Sequence, residues 1–333
     1  MQSMVIRCAM AAAVCVLANP ADAQDASAFF KDKTITYVVA TSAGGGYDVY
    51  GRLVARYMEP ALPGATIVVK NVPGAGHMVG ANSIYASKPD GLTLGTFSTG
   101  LVYSQLSDAP GVKFDLGKMS WIGKAASDPH VIVTSAKSPY KTFADLRNAS
   151  QPIQVSAGGV GAFAYTEMRM VARAFKLNIN VILGYTGTDT EMAMRRGEID
   201  ANLGSYSSYD GFVRNGFGQY VLQLGGTPPA GVAGARAIAV TDDEKATVAL
   251  IESQTELGRF TAGPPNIPAD RLAALRNAYR VALENPELQA QAAKADRPVE
   301  PLYGEEVAQR IRAALNQTPE MIALVKEITA AAK

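Results

Sequence analysis

Cysteine is almost missing from this 333-residue chain, and the two that occur, Cys8 and Cys15, both lie in an apolar N-terminal segment. Beyond that segment there is no thiol, which excludes disulfides, a cysteine nucleophile and thiolate metal ligation. Histidine is nearly as scarce: His77 and His130 stand alone at unrelated spacing, so no metal site is expected. Formal charge is balanced at +1 with no basic run, so a nucleic acid partner is not expected, because phosphate binding needs a concentrated Lys/Arg face. No later segment is long and apolar enough to span a bilayer. Also missing are a glycine loop ending in Gly-Lys-Ser/Thr, a G-x-S-x-G elbow and a correctly spaced G-x-G-x-x-G, since Gly44, Gly46 and Val49 break that spacing. Asp48, Asp189 and Glu191 read as helix-start residues and Glu198 and Asp200 as turn residues. No nucleophile–base pair is left for catalysis.

What is present begins with Arg7, an apolar core from Cys8 to Ala18 and the small-residue triplet Ala21-Asp22-Ala23. Residues 1–23 read as a cleavable signal peptide, too short in its apolar run for a membrane anchor, and imply export. About 310 residues remain, enough for two lobes. Strand-like runs alternate with helical periodicity: Thr34–Ala40, helix Val49–Met58, Thr66–Asn71, helix Met78–Ala86, Thr93–Phe97. A second cycle runs from Ile153–Ala157 through a helix at Ala164–Phe175, a strand Val181–Gly184, a helix Thr188–Arg196 and a strand near Ile199–Leu203. This order predicts two α/β lobes built on parallel sheets. The apolar segments Ile122–Thr134 and Tyr220–Gly225 are expected to carry the chain from one lobe to the other. That places residues 24–130 and 224–333 in the first lobe and residues 131–223 in the second.

Ligands of open α/β sheets bind at the C-terminal ends of the strands, and four glycine-rich loops fall there. Ser42-Ala43-Gly44-Gly45-Gly46-Tyr47 opens the first helix, where unpaired backbone N–H groups and missing Cβ atoms make an anion cradle. The second loop, Asn71 to His77, carries one of the two histidines. Gly159-Val160-Gly161-Ala162-Phe163 opens a helix of the second lobe, and Gly184-Tyr185-Thr186-Gly187 follows the next strand. Ser98 and Thr99 after the third strand, His130, Asn202 and Tyr206 complete the candidate site. Backbone N–H groups would hold anionic ends, with Thr186 and Asn202 as side-chain partners, while Tyr47, Phe163, Tyr185 and Tyr206 flank a carbon skeleton.

The run Tyr37 to Asp90, with Gly44-Gly45-Gly46-Tyr47-Asp48, Arg52, Val69 to Gly76 and Pro89-Asp90-Gly91, resembles the substrate-binding receptors of tripartite tricarboxylate transporters, the TctC/Bug type. The likeness recurs at Ser156-Ala157-Gly158, Gly184-Tyr185-x-Gly187, Arg196-Gly197-Glu198-Ile199-Asp200 and Asn285-Pro286-Glu287. It implies a type II periplasmic binding protein: two Rossmann-like α/β lobes, a double crossover hinge, and delivery of a carboxylate to one large and one small membrane subunit. A monomer without cofactor, metal or enzymatic activity is expected. The chain departs from the family pattern at Ala40 to Gly45, at Tyr47, at Thr186 where lysine is usual, and at Ala201 to Tyr206. Citrate-like specificity therefore does not carry over, and a small organic carboxylate is expected, with aromatic carboxylates and dicarboxylates among the candidates. An exported enzyme on a Rossmann-like scaffold and a receptor for a sensor protein are the alternatives.

Overall fold

A computed structural model describes residues 28–330, apart from residues 45, 161, 186 and 296. The expected signal peptide lies outside the described residues. Two six-stranded sheets organise the chain. The first begins with β1 (Thr34–Val39), α1 (Gly46–Met58), β2 (Thr66–Asn71), α2 (Met78–Tyr85), β3 (Thr93–Thr96), α3 (Gly100–Leu106) and β4 (Ser120–Lys124). The chain then crosses to the second sheet: β5 (His130–Ser135), α4 (Phe143–Arg147), β6 (Ile153–Ala157), α5 (Phe163–Ala174), β7 (Ile179–Leu183), α6 (Thr188–Arg196), β8 (Ala201–Ser205), α7 (Tyr206–Arg214), β9 (Gly218–Leu224) and β10 (Ala233–Gly234). After α8 (Ala235–Ile238) and α9 (Asp242–Thr255) it returns through β11 (Phe260–Gly263), α10 (Ala269–Glu284), α11 (Pro286–Lys294), β12 (Leu302–Tyr303), α12 (Gly304–Leu315) and α13 (Pro319–Ala330).

The strand orders are β12-β4-β11-β3-β1-β2 and β10-β9-β5-β8-β6-β7. The β1–β2, β1–β3, β6–β7 and β6–β8 pairs are parallel, as the alternating pattern predicts. The crossing and returning strands β4, β5 and β11 pair antiparallel, so both sheets are mixed rather than purely parallel. The first crossover falls inside Ile122–Thr134, between β4 and β5. The second is not at Tyr220–Gly225, of which all but Gly225 lies in β9 and pairs along β5. An apolar run buried on both faces marks an interior strand as well as a crossover, and sequence alone does not separate the two. The chain re-enters the first sheet only at Phe260, so the strands of the second sheet extend past the expected division at 223/224.

Several motif residues have local structural work. Asn285 caps α11 by accepting from the Glu287 and Leu288 N–H groups, with Pro286 at the first helical position. Gly197 ends α6 in a left-handed conformation, and the Asp200 carboxylate accepts the Gln154 N–H at the start of β6. One apolar cluster runs from Phe97, Leu101 and Trp121 of the first lobe to Ile132, Val155 and Met168 of the second. Helix α5 packs against α3 and α13, so the lobes touch away from the crossover strands too. No helix among the described residues is long and apolar enough to cross a membrane.

Candidate functional site

The first glycine loop is pinned from below by Asp48. Its carboxylate accepts the Gly44 N–H at 2.9 Å, the Asn71 amide at 2.9 Å and the Arg52 Nε at 3.1 Å, and Asn71 also donates to the Thr41 carbonyl at 3.0 Å. Burial alone would raise this carboxyl, but the hydrogen bonds from Arg52, Gly44 and Asn71 outweigh it and hold the pKa below the usual range. Gly44, left-handed at φ +86°, therefore spends its N–H inside the loop. Gly45 lies outside the described residues. Ser42, Ala43 and Gly44 are exposed, while Gly46 and Tyr47 are half-buried at the start of α1.

Arg259 sits behind that helix start, and the sequence reading missed it. Its Nη2 is 2.9 Å from an Asp128 carboxylate oxygen, and its guanidinium carbon lies 4.3 Å from the Tyr47 ring centroid and 5.3 Å from that of Tyr50. A Cβ on Gly46 would stand 3.1 Å from Nη2, so glycine is what lets the helix end approach the cation. The available signal was a charged residue wedged into the apolar run Leu257 to Phe260, after Gly258. That glycine has its own reason, since a Cβ there would meet the Ala126 carbonyl at 2.7 Å and push the two crossover strands apart.

His77 joins this group. Gly74, Ala75, Gly76 and His77 all have positive φ, a conformation unfavourable for the two non-glycine residues. The His77 ring meets Tyr47 edge-on at 5.9 Å. Its buried Nδ1 has no partner among the described residues, and burial pushes the imidazole down to about 4, leaving it neutral at pH 7. Ser98 and Thr99 are buried just ahead of α3: Ser98 accepts the Gly100 N–H, whereas the Thr99 hydroxyl has no partner among the described residues.

A second group spans the lobes. Glu167, fully buried on α5, accepts from the Tyr103 hydroxyl of α3 at 3.0 Å and is bonded to His130 Nδ1 at 2.6 Å. His130 in turn stacks on Phe163, with centroids 4.5 Å apart. The backbone of Gly159 and Val160 lies half-buried ahead of Ala162 and Phe163, and a Cβ on Gly159 would meet nothing within 4 Å, an opening consistent with close ligand approach. Gly161 and Thr186 lie outside the described residues. Asn202 donates to Ser156 from within β8 and its Oδ1 lacks a partner among the described residues.

Tyr185 and Tyr206 belong to a third cluster. Tyr185 and Tyr206 both pack against the buried cluster of Val131, Val133, Met194 and Tyr209, and the Tyr185 hydroxyl helps hold the Glu198 carboxyl low, after Arg196. Tyr206 stacks on Tyr220 at 4.8 Å and lines a cavity of about 960 Å³ at the crossover, together with Lys124, Asp128, Glu256, Glu300 and Arg310. Among the described residues expected in the site, Tyr206 alone lines that cavity. The crossover itself is two hydrogen-bonded segments, with Ala125 N–H donating to the Arg259 carbonyl and Asp128 N–H to the Thr255 carbonyl.

The crossover between the two lobes thus carries the Arg259–Asp128 pair, with Gly46 and Tyr47 against the guanidinium and Tyr206 on the cavity that Asp128 also lines, a polar and aromatic setting that suits capture of a small polar molecule. Solved structures share the architecture. The periplasmic binding protein BugD superposes with a TM-score of 0.72 at 18% identity, over 89% of this chain and 97% of that one. MatC from Rhodopseudomonas palustris, solved with malate, gives 0.70 at 19% identity over 89% and 99%. R. palustris Rpa4515, solved with adipate, gives 0.72 at 14% over 90% and 97%. Curated relatives match over shorter stretches: a UPF0065 protein of Agrobacterium vitis is 30% identical over 172 residues, covering 49% of this chain and 47% of its own length. Another from Pseudomonas sp. strain P51 is 26% identical over 184 residues, covering 54% of each. The chain spans about half the length of these curated relatives. The family profile of the tripartite tricarboxylate transporter family receptor matches residues 51–329. This chain belongs to that family of receptors, and its fold is that of the two-lobed periplasmic binding proteins.

Proposed function

We propose that the protein is a periplasmic receptor that captures a small organic carboxylate between its lobes and delivers it to the large and small membrane subunits of a tripartite transporter. The observation that carries this reading is the family match over residues 51–329, on a two-sheet fold that the chain crosses twice. The malate and adipate held by two structural neighbours support a carboxylate as the ligand class. Gly46, Tyr47 and His77 offer one side of the site and Gly159, Val160, Ala162 and Phe163 the other, with His130 behind Phe163. By sheet membership, the moving bodies are residues 28–127 with 257–330, and residues 128–256. Binding that engages both bodies favours a closed arrangement. Small-angle scattering with and without a stabilising carboxylate tests this: the radius of gyration should fall at saturation, and an unchanged profile would refute closure.

A further inference from the structure

The positive end of α1 is already occupied. Asp48, ionised and in its first turn, sits where a ligand anion would otherwise draw on the helix dipole, and Gly44 gives it an N–H. Arg52 is likewise committed, to Asp48 and to Asn71. His77 is neutral at pH 7 and His130 is bound to Glu167. Among the described residues the cation against Gly46 at the start of α1 is Arg259, 4% exposed, whereas Arg297 donates to the Ser207 carbonyl. Arg259 is partly used: Nη2 reaches Asp128 at 2.9 Å and Ser205 Oγ at 3.5 Å and the Tyr47 side chain adds a hydrogen bond, while the buried Nε has no partner among the described residues. An unused buried guanidinium N–H is costly, since it loses water and gains nothing. The guanidinium lies against the Cβ-free face of Gly46, and the half-buried Tyr47 ring covers it.

We propose that Arg259 is the ligand-binding cation of this receptor: it takes a carboxylate at the start of α1 through Nε, with Tyr47 as the movable cover and Asp128 as the counter-ion that holds the guanidinium in place. This rests on the receptor reading and sharpens it by fixing which residue meets the ligand's charge. Planar, always charged and rigidly forked, arginine suits a carboxylate better than a backbone cradle alone. A guanidinium that only staples the crossover would be indifferent to added anions.

The test follows the Nε–H resonance of Arg259 by NMR in protein labelled with ¹⁵N-arginine, titrated with sodium acetate, with acetamide and sodium chloride as controls. Arg259→Lys assigns the resonance by its loss. If that variant does not fold, Gly46→Ala identifies it by proximity, because the new Cβ crowds Nη2 at 3.1 Å. The expected result is a saturable shift with acetate, none with acetamide or chloride, and an acetate affinity at least fivefold weaker in Gly46→Ala. No saturable response to acetate, or an equal response to chloride, would overturn the proposal. Failure of the receptor reading looks different: no carboxylate in a broad panel would raise the melting temperature, whatever the Arg259 resonance does with acetate.

Discussion

Removing a single oxygen, the hydroxyl of Tyr103, should measurably loosen the contact between the lobes. That hydroxyl donates to Glu167 at 3.0 Å across the α3–α5 interface, and Glu167 is fully buried with His130 on its other oxygen. Burial first, then the facing carboxylate, raises the phenol well above its ordinary pKa, so it stays a donor at every working pH. Tyr103→Phe keeps the ring and opens no large cavity, so its cost is one hydrogen bond to a charged acceptor, about 2 kcal/mol. Glu167→Ala strands both Tyr103 and His130 and should cost about 3–5 kcal/mol. Urea unfolding followed by the fluorescence of Trp121, the chain's sole tryptophan and buried against Phe97 and Phe260, reads the first lobe directly. With a slope of about 3 kcal/mol per molar, Tyr103→Phe should lower the midpoint by about 0.7 M. In the Glu167→Ala background the same change should cost nothing, because the donor has already lost its acceptor. Equal costs in the two backgrounds would refute the network.

Further outcomes follow from other contacts. His77 has its pKa depressed to about 4, so its proton is bound more readily by the unfolded chain: the protein loses stability as pH falls from about 6.5 toward 4, by about 2 kcal/mol between pH 7 and pH 5, and urea titrations of His77→Gln should show that much less pH dependence. Asp128→Ala leaves Arg259 buried without its counter-ion and removes the acceptor for the Ser207 N–H and hydroxyl, so it should cost about 3–5 kcal/mol in the same assay. Gly46→Val puts a branched side chain against Arg259 and should weaken ligand binding in calorimetry far more than it weakens folding, with wild-type affinity as the contrary result. Phe163→Ala should reduce affinity more for an aromatic than for a short aliphatic carboxylate, and an equal loss for both would remove Phe163 from the ligand's carbon skeleton.

The repeating strand and helix periods were legible wherever apolar residues alternate cleanly: Thr66–Asn71, Ile153–Ala157 and Thr188–Arg196 fall where the pattern predicts. Asp48 was legible as a helix-start residue for the same local reason. What the chain does over long distances was not. Tyr220–Gly225 is as apolar as a crossover, and only its pairing with β5 shows it to be an interior strand. Arg259 lies more than two hundred residues from Gly46, and no local spacing links them. Glu167 reads as a polar position on an amphipathic helix until Tyr103 and His130 close around it.

A thermal-shift titration with malate, adipate, benzoate and their aliphatic and aromatic homologues, with the recovered ligand checked by NMR, tests the central claim most directly. The receptor account expects at least one carboxylate to stabilise the protein by about 2.7 kcal/mol at a hundred times its dissociation constant and to be recovered unchanged. No stabilisation by any carboxylate, or its steady conversion to product, would contradict it.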